Sequence, residues 1–183
     1  MPIRDEQPGD EATIAAIVTA AFATVPHAGG NEARIVDALR AAGALTVSLV
    51  ATDEGGNPIG HVAFSPLEIE GQPGLWFTLG PVAVLPSAQR RGIGRALIEA
   101  GLERLAAIPA DGCVLLGDPA YYSRFGFVAG DALTWGGEPS PYLQQKPLAG
   151  MPAKGAVTFH PAFDVPRPGN PDGPALRTDL VIA

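Results

Sequence analysis

The chain has 183 residues, 46% of them hydrophobic, which is enough to build the core of one domain. Its formal net charge of −7 and its sequence pI near 4.8 exclude a protein that binds nucleic acid through a broadly basic face. The single cysteine, Cys113, excludes a disulfide framework and a zinc site built from cysteines. We expect it to be a buried free thiol, with a catalytic nucleophile as the alternative.

The start of the chain, MPIRDEQPGDEATIAA, shows no basic segment followed by an apolar one, so it does not resemble a signal peptide. No apolar run approaches the length needed to span a membrane. We therefore expect a cytoplasmic protein that has neither a membrane nor a nucleic acid as its partner.

One short strand and two helices are predicted in the first 43 residues. Apolar residues recur at helical spacing on both sides of the stretch PHAGG, which predicts helices over 11–23 and 32–42 after an extended start at 3–7. Asp10 and Asn31 are the expected N-caps of these helices.

Three β-rich runs follow, separated by polar turns that contain glycine. They predict strands over 46–52, 59–69 and 75–85. Because Pro81 lies inside the third run, that strand needs a bulge or a position without a ladder hydrogen bond.

The next predicted elements are a helix over 92–107, a fully apolar strand over 112–117, a short helix over 119–125 capped by Asp118, and a strand after the FGF turn. The resulting β-α-α-β-β-β-α-β-α-β order predicts an α/β fold with a mixed sheet and a crossover helix.

The junction before residue 92 combines glycine with positive charge. Arg90, Arg91 and Arg95 are three of only twelve basic residues, while Gly92 and Gly94 let the backbone approach a ligand at the first turn of a helix. This pattern predicts an anion site for a phosphate or pyrophosphate. The GxxxxGK[ST] phosphate loop is absent, and the GxGxxG fingerprint lacks its third glycine, so a tight turn with solvated arginines is the alternative.

Two stretches carry a family resemblance. VAVLPSAQRRGIGRAL resembles the acetyl-CoA motif of the GNAT family of N-acetyltransferases, [RQ]-x-x-G-x-[GA], and LLGDPAYYSRFGF resembles the family's segment ending in Y-x-x-x-G-F. The resemblance covers most of residues 1–163. The form GDPAYYSRFGF and the ending VTFHPAF resemble most the YhbS-like branch of predicted N-acetyltransferases. It implies the GNAT fold, with a mixed, mostly antiparallel central sheet flanked by helices.

The resemblance also implies acetyl-CoA as co-substrate, with no metal. The pantetheine arm would pair with the backbone of Val82, Ala83 and Val84, although core packing alone could explain these residues. The pyrophosphate would lie on the loop formed by Gln89, Arg90, Arg91, Gly92, Ile93, Gly94 and Arg95.

Two catalytic groups follow from the same resemblance. A strand N–H near Val84 would stabilise the oxyanion, and Tyr122 would protonate the departing thiolate as general acid. Its neighbour Tyr121 would pack against other residues or form a wall of the pocket, and either tyrosine could simply pack against the FGF turn.

The general base is not identified by the resemblance, because the strand before the loop lacks the carboxylate that many members carry there. A water chain could act as the base instead of a side chain, and the candidate side chains are His27, Glu32, His61, Glu68 and Asp118.

The implied reaction moves an acetyl group directly to a primary amine of a small molecule or a protein. An acyl-CoA sensor or regulatory module without turnover is the alternative, and a longer acyl group is a further variant. Residues 24–32 and 135–145 would form the acceptor pocket. The Pro/Gly-rich tail at 164–183 lies beyond the GNAT domain of 1–163, and its segment 180–182 could add an edge strand, also across a homodimer.

Overall fold

The computed structural model describes residues 1–23, 25 and 28–167, and its elements follow the predicted order. Three short strands at 133–134, 143–147 and 155–159 extend the predicted series. The bounds are β1 (Ile3–Asp5), α1 (Glu11–Phe22), α2 (Glu32–Ala41), β2 (Val47–Thr52), β3 (Pro58–Ile69), β4 (Trp76–Val84), α3 (Ile93–Ala106), β5 (Gly112–Leu116), α4 (Pro119–Tyr122), β6 (Val128–Ala129), β7 (Leu133–Thr134), β8 (Leu143–Pro147) and β9 (Gly155–Phe159).

The strands form one mixed, mostly antiparallel sheet with the order β1-β2-β3-β4-β5-β8-β6. Strand β9 pairs with the end of β3 and, in parallel, with β7. Strands β4 and β5 are parallel because α3 crosses over between them. The predicted fold class is therefore confirmed.

Helices cover both faces of the sheet. The face under α3 and α4 buries a cluster that includes Phe64, Leu97 and Cys113, so the cysteine is a buried free thiol as predicted. The other face packs under α1 and α2, where Ile17 and Leu39 are almost fully buried. Since each core strand alternates between these two cores, the sheet is held rigidly from both sides.

Two of the three predicted helix caps are wrong. The Asp10 carboxylate accepts hydrogen bonds from the Arg4 guanidinium at 2.6 Å and from the Gln7 N–H at 2.8 Å, and it does not cap α1. The Asn31 side chain donates to the Val165 carbonyl at 2.7 Å. In both cases the side chain bonds to partners outside the helix instead of capping it, whereas Asp118 does cap α4 by accepting from the Ala120 N–H at 2.8 Å.

Chain direction brings several segments to one end of the sheet. Strands β4 and β5 both finish there, α3 and α4 begin there, and the connection between α1 and α2 lies at the same end. The described start of the predicted tail arrives there as well, because Arg34 donates to the Pro166 carbonyl at 2.7 Å. The proposed edge strand at 180–182 lies outside the described residues.

Candidate active site

Strands β4 and β5 separate at the end of the sheet where α3 begins. Their parallel pairing covers only Trp76–Thr78 opposite Gly112–Val114, yet β4 continues to Val84 and β5 to Leu116. Within the described part of the chain, no strand fills the gap between these two continuing ends. One edge of β4 therefore offers backbone groups to a ligand.

The ladder between β3 and β4 shows which residues face this gap. The Leu85 N–H donates to the Ile59 carbonyl at 2.9 Å, and paired residues alternate along an antiparallel ladder. This alternation places the Ala83 N–H and C=O in the ladder with β3. The backbone groups of Val82 and Val84 consequently point into the gap.

Strand β4 contains a bulge where it separates from β5. Val62 lies opposite Val82 and Phe64 opposite Leu79, so Gly80 and Pro81 together face the single residue between them on β3. The bulge predicted from Pro81 is confirmed. Such a bulge bends the strand and increases its twist, which helps β4 to turn away from β5.

The loop after β4 exposes a series of backbone N–H groups. The Gln89 side-chain amide donates to the Val84 carbonyl at 3.1 Å and ties the loop to the strand end. Arg90 and Gly92 have left-handed backbones, with φ of 60° and 81°, and α3 then begins at Ile93 without a side-chain cap. The first turn of α3 therefore offers unpaired N–H groups at the positive end of the helix, which suit an anion.

A cavity of about 370 Å³ lies over this loop. Its lining brings together seven of the predicted site residues, one residue of α4 and one from the turn directly after α4: Val84, Gln89, Arg90, Gly92, Ile93, Gly94, Arg95, Tyr121 and Arg124. Arg91 instead lines a neighbouring cavity with Asp53 and Glu54, and Val82 and Ala83 line neither of the two.

The two tyrosines have different surroundings. Tyr122 is only 2% exposed and packs against Phe125 and Phe127, and a Cβ added at Gly117 would lie 2.3 Å from its ring. Burial raises the pKa of Tyr122 well above its usual value, so its hydroxyl keeps the proton. Tyr121 is half-buried, and its hydroxyl lies 3.9 Å from the position of a Cβ added at Gly94.

Strand β8 holds the tyrosine segment at both of its ends. The Gln144 side-chain amide donates to the Gly117 carbonyl at 2.8 Å, just before α4, and the Lys146 ammonium donates to the Phe125 carbonyl at 2.8 Å, just after it. Both donors lie in the stretch 135–147, which showed no strand signal in the sequence. The tyrosines are thus fixed to the sheet beside the end of β5.

The candidate bases on the described residues are mostly engaged. Glu32 accepts from the Gly29 and Gly30 N–H groups at 2.6 and 3.2 Å, and Asp118 caps α4. Glu68 is exposed on the part of β3 that pairs with β9, away from the gap. His27 lies outside the described residues.

His61 is fully buried in a polar chain that reaches the surface. Its Nε2 lies 2.9 Å from the Ser48 hydroxyl, which donates to the Glu6 carboxylate, and Glu6 pairs with Arg40 at 2.6 Å. Burial disfavours the charged imidazolium and lowers the pKa of His61 to about 4. The imidazole is therefore neutral at physiological pH.

This buried imidazole predicts a loss of stability in acid. Between pH 6.5 and 4 the unfolded chain binds a proton at His61 that the folded chain does not, so the free energy of unfolding should fall as pH falls through this window, by about 3 kcal/mol in total. Urea unfolding at pH 7 and pH 4.5 measures the fall. His61→Gln should flatten it, and an equal pH dependence in both proteins would contradict the assignment.

Size alone does not identify the site. A larger cavity of about 700 Å³ is lined by Glu6, Arg40, Ser48 and Arg104, among others, at the opposite end of α3.

Among the described residues, no group of three His, Cys, Asp or Glu side chains could hold a metal ion. The described helices are all too short or too polar to cross a membrane.

Known proteins share this fold. The family model described as Acetyltransferase (GNAT) domain matches residues 45–129. YhbS of Escherichia coli K12, an uncharacterized N-acetyltransferase, is 42% identical over 127 residues, which are 69% of this chain and 73% of YhbS.

Two solved structures are similar over most of the chain. A GNAT family acetyltransferase from Brucella melitensis, in complex with acetyl-CoA, is 47% identical with a TM-score of 0.78. The match covers 89% of this chain and 97% of the Brucella chain. Escherichia coli YhbS in complex with CoA is 36% identical with a TM-score of 0.79, covering 88% and 91%.

The chain therefore belongs to the GNAT family and is an acetyltransferase. Within that family it resembles YhbS, as its two motifs predicted.

Proposed function

We propose that this protein transfers an acetyl group from acetyl-CoA directly to a primary amine of a small molecule or a protein. The observation that carries the proposal is the gap between β4 and β5, whose β4 edge ends at the anion-binding loop. The β4 edge, which can pair with an extended arm, and the loop, which can bind a phosphate, thus follow each other in the order that a CoA thioester requires.

The donor would be held mainly by backbone. The amides of its pantetheine arm would pair with the backbone groups of Val82 and Val84, as an added strand does. Its pyrophosphate would accept from the N–H groups of the loop and of the first turn of α3, beginning at Ile93. Ala83 contributes by holding β4 to β3.

The chemistry is one acyl transfer. The neutral amine attacks the thioester carbonyl carbon, the C–S bond breaks, and the amine loses one proton while the thiolate gains one. A strand N–H near Val84 that points into the gap would stabilise the negative charge that develops on the carbonyl oxygen. Tyr122 would supply the proton to the thiolate, since its raised pKa keeps it protonated.

No described carboxylate is placed to act as the base. The Glu32 carboxylate is held by two backbone N–H groups, and the His61 imidazole is buried with a low pKa, so neither suits proton abstraction. We propose that water in the gap takes the proton from the amine.

Thermal unfolding with acetyl-CoA, CoA, NAD or ATP tests the donor site. At a ligand concentration of 100 Kd, binding adds about 2.7 kcal/mol to the free energy of unfolding, or about 5–10 °C in Tm. We expect this rise with acetyl-CoA and CoA alone, and its absence would overturn the proposal.

Turnover needs a separate assay. A panel of amines with acetyl-CoA, followed by release of the CoA thiol, should identify an acceptor. Binding without thiol release from any amine on the panel would instead support the acyl-CoA sensor.

A further inference from the structure

The lining of the loop cavity includes a preorganised arginine. The Arg124 guanidinium lies over the ring of Tyr121, 4.5 Å from its centroid, and its Nε donates to the Tyr121 carbonyl at 2.8 Å. Stacking and this hydrogen bond fix the plane of the guanidinium. Its two terminal nitrogens have no other partner among the described residues, and they are available to a ligand.

The other arginines near the cavity are less available. Arg95 pairs with Glu99 at 2.8 Å, so its charge is partly neutralised. Arg91 lines the neighbouring cavity beside Asp53 and Glu54. Arg90 and Arg124 are therefore the two cavity-lining arginines with no ion pair in the described part of the chain.

The position of Arg124 indicates which part of a ligand it meets. The Tyr121 hydroxyl lies near Gly94, whereas the Arg124 guanidinium lies over the Tyr121 ring and is tied to the main-chain carbonyl at the other end of that residue. Along CoA the order is thiol, pantetheine, pyrophosphate, and then the ribose with its 3′-phosphate. If the pyrophosphate occupies the loop N–H groups near Gly94, the next charged group outward is the 3′-phosphate.

We infer that Arg124, held over the Tyr121 ring, recognises the 3′-phosphate of CoA and thereby selects CoA thioesters over donors that lack this phosphate, such as dephospho-CoA or a free phosphopantetheine. The inference rests on the proposed donor site and adds its selectivity. An arginine suits this role because its planar fork can donate two parallel hydrogen bonds to one phosphate.

Calorimetric titration of the full chain with CoA and with dephospho-CoA tests the inference. The native protein should bind CoA at least about tenfold more tightly, the effect of one charged hydrogen-bonded contact. Arg124→Gln should weaken CoA about tenfold and leave the Kd of dephospho-CoA unchanged. Arg124→Lys should retain part of the preference, because it keeps the charge but loses the fork.

Arg104→Gln is the matched control, since Arg104 is also an exposed arginine on the surface but lies at the far end of α3, beside Asp5. It should leave both affinities as they are. An equal loss for both ligands in Arg124→Gln would place the arginine on the pyrophosphate and overturn the inference, as would no loss at all. Failure of the native protein to bind CoA would instead refute the donor site itself.

Discussion

Gly94→Glu is expected to abolish CoA binding, with a loss in affinity of more than about 100-fold. A Cβ at this position would lie 3.7 Å from the Val84 side chain and 3.9 Å from the Tyr121 hydroxyl, so a larger side chain must extend into the cavity between them. The added carboxylate would also repel a phosphate and occupy the positive end of α3. Calorimetric titration with CoA measures the loss.

Two further variants separate the causes. Gly94→Ala makes only ordinary contacts at 3.7 and 3.9 Å, so it should fold normally and weaken CoA only slightly. Gly94→Gln has the bulk of glutamate without its charge, and it should lie between alanine and glutamate. CoA binding by Gly94→Glu at native affinity would show that the phosphate does not lie on this loop.

The elements of this fold were predictable because each is encoded locally. Helix α3 differs from its predicted span by one residue at each end, and strands β3 and β4 likewise agree within a residue. Their signals are hydrophobic spacing and flanking Gly and Pro, which depend on neighbours in sequence. Strand β8 was missed because LQQKP has few β-forming side chains; it is held by its pairing with β5.

The site was only partly predictable for the same reason. The glycines and Gln89 of the loop belong to a contiguous motif, so the sequence indicated them directly. The orientation of the Val84 backbone into the gap depends on the β3–β4 register. The presence of Arg124 in the cavity lining depends on how α4 packs beside α3. Arg124 stands three residues after Tyr121, a helical spacing that could have suggested their stacking.

His61 shows the limit of assigning roles by residue type. A histidine on a strand near the site was a reasonable candidate base. Its ladder partners Val50 and Ala83 both belong to the core under α1, so His61 lies on that face of β3, where burial lowers its pKa. Its hydrogen-bonding partner Ser48 lies 13 residues away in the sequence, and Glu6, which accepts from Ser48, lies 42 residues from Ser48. Single-sequence patterns do not reveal such a long-range arrangement.

Tyr122→Phe is expected to lower kcat about 100-fold at neutral pH, within the range for a general acid, while leaving the Kd of CoA unchanged. The phenylalanine ring keeps the packing against Phe125 and Phe127, and Tyr122 does not line the loop cavity. The defect should shrink above about pH 8.5, the usual pKa of a thiol, because the thiolate then departs without needing a proton.

Tyr121→Phe is the matched control, since it removes the neighbouring hydroxyl from the same helix and keeps the ring under Arg124. It should leave kcat within about twofold, because a group over the phosphate loop lies away from the thioester. Steady-state rates with an identified amine, measured from pH 6.5 to 9.5, compare the two variants. A large loss in Tyr121→Phe with native kcat in Tyr122→Phe would transfer the role of general acid to Tyr121, whose hydroxyl borders the cavity.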